Sequence, residues 1–176
     1  MIVSETKLKG AFIVELERRE DMRGFFAPSW SQKEFESLGL NSRLVECNIS
    51  FNNTKGTLRG MHFQVAPYAQ AKLVRCTSGS VYDVIIDLRE GSATFKQWSA
   101  VELTAENHKA LYVPEGFAHG FQTLEDRTEI LYQMSEIYAP ECSRGIRWND
   151  PLFRVEWPPA ERIIIDRDNS FEDWKP

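Results

Sequence analysis

The stretch Ser80-Val81-Tyr82-Asp83-Val84-Ile85-Ile86-Asp87-Leu88 nearly alternates, with Asp83 and Asp87 on one face and Tyr82, Val84, Ile86 and Leu88 on the other. Period two marks an extended strand, because successive side chains point to opposite sides of a sheet. These residues therefore read as a half-buried strand. Turn signals bound it, Ser78-Gly79 before and Glu90-Gly91-Ser92 after. Working outward, short apolar runs between turn residues recur along the whole chain. The candidate strands are Gly10–Leu16, Gly24–Trp30, Leu44–Ser50, Thr57–Gln64, Ala71–Cys76, Phe95–Leu103, Ala110–Val113, Phe117–Leu124 and Thr128–Tyr138. One helix stands out, with Ser31 and Glu34 as a capping box and Gly39 as a stop. After Trp157 the chain is Pro-rich and then charged, which predicts irregular chain across the sheets and a short helix near Asn169–Trp174. Many strands and almost no helix predict an all-β antiparallel double sheet of jelly-roll type.

The 176 residues suit a single domain spanning 1–176. Hydrophobic residues at 42% and charged residues at 27% fall in the globular range. A net charge of -5 argues against a general nucleic-acid binder, so any anionic ligand must be held by a local cluster of Arg and Lys. The three cysteines, Cys47, Cys76 and Cys142, are odd in number and lack metal-ligand spacing. They predict reduced thiols in a cytoplasmic protein. MIVSETKLKG lacks the apolar segment of a signal peptide, and no run approaches the ~18 apolar residues of a membrane span.

Only three histidines occur. His108 lies in a polar connection and reads as a solvated loop residue. His62, in Leu58-Arg59-Gly60-Met61-His62-Phe63-Gln64, and His119, in Pro114-Glu115-Gly116-Phe117-Ala118-His119-Gly120-Phe121, lie on strands. Each is either a satisfied core histidine or a ligand or acid-base group in a barrel mouth. An imidazole titrates near ~6.5, which suits proton transfer close to neutrality. Arg59, three residues before His62, would project to the opposite face unless Gly60 carries a bulge. Lys72, in Lys72-Leu73-Val74-Arg75-Cys76, is either an edge-strand charge or a costly buried cation. Tyr132, in Glu129-Ile130-Leu131-Tyr132-Gln133-Met134, is a core aromatic or a placed hydroxyl.

The two His segments resemble the half-motifs of cupin barrels. Metal-binding cupins carry His-x-His and a Glu in the first half, where this chain has Gln64 and then Val65, Ala66 and Pro67. Two histidines without a third ligand and a carboxylate make a poor metal site, so no metal is expected.

Further matching pieces run end to end: Asp21-Met22-Arg23-Gly24-Phe25-Phe26, Asn48-Ile49-Ser50, Ala69-Gln70-Ala71-Lys72-Leu73-Val74, Trp148-Asn149-Asp150-Pro151 and Asp166-Arg167-Asp168. With the His segments they resemble the dTDP-4-dehydrorhamnose 3,5-epimerases, nucleotide-sugar epimerases of the cupin superfamily. The resemblance implies an epimerase acting beside the ketone of a nucleoside-diphosphate 4-keto-6-deoxyhexose, with no metal or organic cofactor. It implies His62 as base, Asp168 as its carboxylate partner, Lys72 beside the ketone oxygen and Tyr132 as the opposing acid. It places substrate contacts at Arg23, Glu46, Asn48, Arg59, His119 and Arg167. It also implies a homodimer, with an N-terminal strand exchanged or added onto the partner's sheet.

The chain departs from the family's pattern at Pro28 and Ser143, where carboxylates are usual, at Cys47, and at Arg167, where Lys is usual. The nucleotide, the sugar, and inversion at carbon 3, carbon 5 or both stay open. A sister epimerase acting on one carbon, a metal-dependent cupin and a non-catalytic sugar-binding cupin are the alternatives.

Overall fold

The structure, a computed structural model, describes residues 1–175. Its strands are β1 (Ile2–Glu5), β2 (Phe12–Glu15), β3 (Arg19–Asp21), β4 (Gly24–Phe26), β5 (Glu46–Asn52), β6 (Leu58–Gln64), β7 (Lys72–Ser78), β8 (Ser80–Asp87), β9 (Trp98–Thr104), β10 (Ala110–Val113), β11 (Phe117–Thr123), β12 (Thr128–Met134) and β13 (Ser143–Gly145). Two short helices, α1 (Gln32–Ser37) and α2 (Asp166–Asn169), complete it. The order β1-β2-β10-β7-β12-β5 forms a six-stranded sheet and β13-β6-β11-β8-β9 a five-stranded one, while β3 and β4 pair as a separate hairpin. Every pairing between these strands is antiparallel. The all-β jelly-roll expectation holds. No helix among the described residues is long and apolar enough to cross a membrane.

Three apolar layers hold the sheets. Between them lie Val74, Cys76, Leu111 and Ile130 from one sheet and Val81, Ile85, Leu103 and Phe121 from the other. Phe35 of α1 packs with Leu73 and Tyr112 outside the six-stranded sheet. Outside the five-stranded sheet, Met61, Val84, Ile86 and Ala118 are covered by Phe153, Trp157 and Trp174. The central strands β8 and β11 of the five-stranded sheet are thus buried on both faces, which corrects the half-buried reading of Ser80–Leu88. Asp83 and Asp87 are both fully buried. Their polar face looks into the barrel, not to solvent.

Boundaries moved where local chemistry interrupted the apolar pattern. The strand expected over Gly24–Trp30 stops at Phe26, short of Pro28, which has no N–H to donate. That expected from Phe95 starts only at Trp98, because Lys96 takes φ 63 in a turn. Ser31 caps α1 by accepting from the Glu34 N–H at 3.4 Å, and Gly39 ends it with φ +69. The second half of the capping box is absent, since the Glu34 carboxylate accepts instead from the N-terminal amine of Met1 at 2.6 Å. The tail helix falls at Asp166–Asn169 instead of Asn169–Trp174. Acids in the first turn suit a helix N-terminus, while the Trp174 N–H is taken by Asp150 at 2.5 Å and its ring lies 6.1 Å from Phe63.

Candidate active site

His62 reaches the interior because β6 is bulged where Gly60 sits. His62 pairs with His119 and Arg59 with Phe121, so Gly60 and Met61 together face the single Gly120. The extra residue turns Arg59 and His62 toward one cavity instead of opposite faces. Only glycine fits: a Cβ on Gly60 would stand 2.6 Å from the Gly120 Cα, at a φ of +126.

The cavity, about 400 Å³, opens between the sheets at the β5 and β6 end. It is lined by His62, Lys72, Tyr132, Asp168, Asn48, Arg59, His119 and Arg167. Eight of the residues singled out in the sequence therefore share one cavity.

Two histidine–carboxylate pairs organise it. His62 Nε2 lies 2.8 Å from Asp168 Oδ1, and Asp168 Oδ2 accepts the Gly60 N–H at 3.1 Å. Burial pushes the Asp168 carboxyl up, but His62, the Gly60 N–H and nearby Arg167 outweigh it and hold it below the usual carboxylate range. An ionised carboxylate only accepts, so His62 Nε2 carries the proton and Nδ1 keeps the free lone pair of a base. His119 Nε2 lies 2.9 and 3.0 Å from the two oxygens of Asp83, both residues being buried. This second pair fixes the imidazole beside Tyr132, whose ring centre is 5.9 Å away.

Lys72 sits on β7, a central strand, so it is no edge-strand charge. Burial drives its ammonium down to about 8, against the opposing charge of Asp83. Burial pushes the Tyr132 phenol up, Asp83 adds to the rise and Arg59 opposes it. Tyr132 is therefore a protonated donor at any working pH.

Supporting contacts set the rim. Arg59 Nε donates to Asn52 Oδ1 at 2.8 Å, leaving its terminal nitrogens to the cavity. Glu46 does not line the cavity; it accepts from Asn48 Nδ2 at 2.5 Å and from the Tyr138 N–H at 3.2 Å, and so positions two residues that do. Arg167 Nη2 donates to Ser143 Oγ at 3.4 Å. Gln64, at the metal-ligand position, is fully used: its amide donates to Tyr68 O and Ile137 O and accepts from the Ala139 N–H. Among the described residues no three His, Cys, Asp or Glu side chains gather as a metal-holding group.

Arg23, unlike Glu46, does not even support the cavity's lining residues. It stands exposed on the β3–β4 hairpin, donates to Asp21 at 2.6 Å, and does not line this chain's cavity. Asp83 and Ser50, in turn, belong to the site without having been assigned to it from sequence. Asp83 carried a signal, as a carboxylate within the run Val81-Tyr82-Asp83-Val84-Ile85-Ile86.

The chain matches the family described as dTDP-4-dehydrorhamnose 3,5-epimerase over residues 5–175. It is 44% identical over 169 residues to the dTDP-4-dehydrorhamnose 3,5-epimerase of Shigella flexneri, covering 96% of this chain and 93% of that protein. The crystal structure of the dTDP-4-dehydrorhamnose 3,5-epimerase from Elizabethkingia anophelis superposes with a TM-score of 0.96 at 40% identity, covering 99% of this chain and 96% of that one. The Bacillus anthracis dTDP-4-dehydrorhamnose 3,5-epimerase, solved with TDP and PPi bound, gives 0.93 at 42% identity, covering 98% and 99%. By sequence and by fold alike, this chain belongs to the dTDP-4-dehydrorhamnose 3,5-epimerase family.

Proposed function

We propose that the chain epimerises dTDP-4-dehydro-6-deoxyglucose at carbons 3 and 5 to give dTDP-4-dehydrorhamnose. The observation that carries this is the placement of base and acid on opposite walls. His62 projects from the five-stranded sheet and Tyr132 from the six-stranded sheet, into one cavity. A sugar ring held between the sheets offers one face to each.

At each carbon beside the ketone, His62 Nδ1 removes the proton and the C–H electron pair moves onto the ketone oxygen as an enolate. The buried Lys72 ammonium stabilises that charge. The Tyr132 phenol then delivers a proton to the opposite face, the enolate collapses to the ketone, and the configuration is inverted. Solvent returns a proton to the tyrosinate and takes one from the imidazolium. No step is routed through a metal or an organic cofactor. Arg59 and Arg167 suit the diphosphate, since a guanidinium forks onto phosphate oxygens. Two placed arginines thereby hold an anion on a protein of net charge -5.

The assembly we propose is a cytoplasmic homodimer. The three free thiols suit a reducing compartment. The hairpin exposes Met22, Phe25 and Phe26 beside Arg23, and β1 and β5 are open edges. An N-terminal segment docked on a second copy covers such features and gives Arg23 a site to serve.

The test is incubation with dTDP-4-dehydro-6-deoxyglucose in deuterated water, followed by NMR of the sugar. Deuterium at carbons 3 and 5 with inverted configuration is the expected result. Label at one carbon only assigns a single-carbon epimerase, and no label refutes the reading.

A further inference from the structure

Two buried side-chain polar atoms among the described residues lack a hydrogen-bond partner, Ser50 Oγ and Trp174 Nε1. Of these two residues only Ser50 lines the active-site cavity. An unpaired buried hydroxyl is costly, because water is lost and nothing replaces it. Its neighbours on the inward face of β5 are all paired. Asn48 donates to Glu46, and Asn52 donates to Ser50 O and Thr128 O while accepting from Arg59. The shortfall is thus local to one hydroxyl, not a general looseness of the strand.

The register says what it faces. Ser50 pairs with Ile130 and Asn48 with Tyr132, so Ser50 is the diagonal inward neighbour of Tyr132. Diagonal cross-strand neighbours lie roughly 7–8 Å apart at Cα, about the width of a sugar ring with its substituents. The cavity's two arginines, Arg59 and Arg167, are exposed and answer the diphosphate, and the buried Lys72 ammonium answers the ketone oxygen, while Ser50 Oγ is buried and neutral.

We infer that Ser50 is a substrate-contacting residue whose hydroxyl hydrogen-bonds a hydroxyl of the sugar ring. No protein group pairs with this oxygen, and the nucleotide sugar supplies its partner. The inference rests on the nucleotide-sugar reading above and names which part of that ligand the residue recognises.

Calorimetric titration of wild type and Ser50→Ala with dTDP and with dTDP-glucose, alongside thermal melts, tests it. The variant is expected to bind dTDP as wild type does and to bind dTDP-glucose about three- to tenfold more weakly, the loss of one neutral hydrogen bond. Its melting midpoint without ligand is expected to be no lower than that of wild type, because no protein contact is removed. Equal loss for dTDP and dTDP-glucose would move Ser50 to the diphosphate and overturn the inference. Unchanged dTDP-glucose binding, or a lowered apo midpoint, would also overturn it. If wild type itself bound neither ligand, the functional reading would fail first.

Discussion

Lys72 is held between two opposing demands. An ammonium beside the ketone must be charged to stabilise an enolate, yet burial drives it down to about 8. The folded value lies below the ordinary 10.5, so the unfolded chain binds more protons between the two. Stability should therefore rise with pH through that window while kcat/KM falls above about 8 as the cation is lost. A pH profile of kcat/KM beside pH-dependent melts checks the opposite signs; parallel curves contradict them. Lys72→Ala should lower kcat roughly 10²–10³-fold, the scale of one lost electrostatic donor. This conflict was legible, since a lysine in an apolar strand is conspicuous. The Asp83–His119 pair was not, because its members stand 36 residues apart and only the β8–β11 pairing joins them. Arg23 was placed at the site by resemblance, and its position on an exposed hairpin could not be read from the local sequence.

At the scale of elements, the bulge at Gly60 could be read in advance, because Arg59 and His62 share a face only if the strand is interrupted. The short β13 could not, having three residues and no apolar pattern. It nevertheless sets the back wall. Gly145 pairs with His62, and Phe171 fills the space where its side chain would be, with its ring 5.9 Å from the imidazole. A Cβ on Gly145 would meet the Phe171 ring at 2.1 Å. Gly145→Ala should expel that ring and disturb the tail that carries Asp168. Overpacking of this kind costs roughly 1–3 kcal/mol, and kcat should fall with the misplaced base. Adding Phe171→Leu should recover part of the lost melting midpoint, since a smaller side chain leaves room for the methyl group. A double-mutant cycle reads this coupling, and strictly additive effects would show that the two residues do not interact.

Across the whole molecule, the fold class was legible because strand texture recurs from end to end. An irregular tail across the sheets was expected, but the double burial of β8 and β11 was not, because Phe153, Trp157 and Trp174 carry no periodicity to say which face they cover. The proposed dimer predicts a solution mass near twice the chain's 20.3 kDa at micromolar concentration. Light scattering that returned the single-chain mass would contradict it. The central claim is also a property of the whole barrel: inversion follows because base and acid stand on facing sheets. Tyr132→Phe separates the two half-reactions. Deuterium exchange beside the ketone, followed by NMR in deuterated water, is the direct measurement. His62→Ala should abolish exchange and turnover together, by ~10²–10⁴-fold or more. Tyr132→Phe should keep washing deuterium into the substrate from the His62 face while yielding little or no inverted sugar. Inversion by Tyr132→Phe at the wild-type rate would contradict the account.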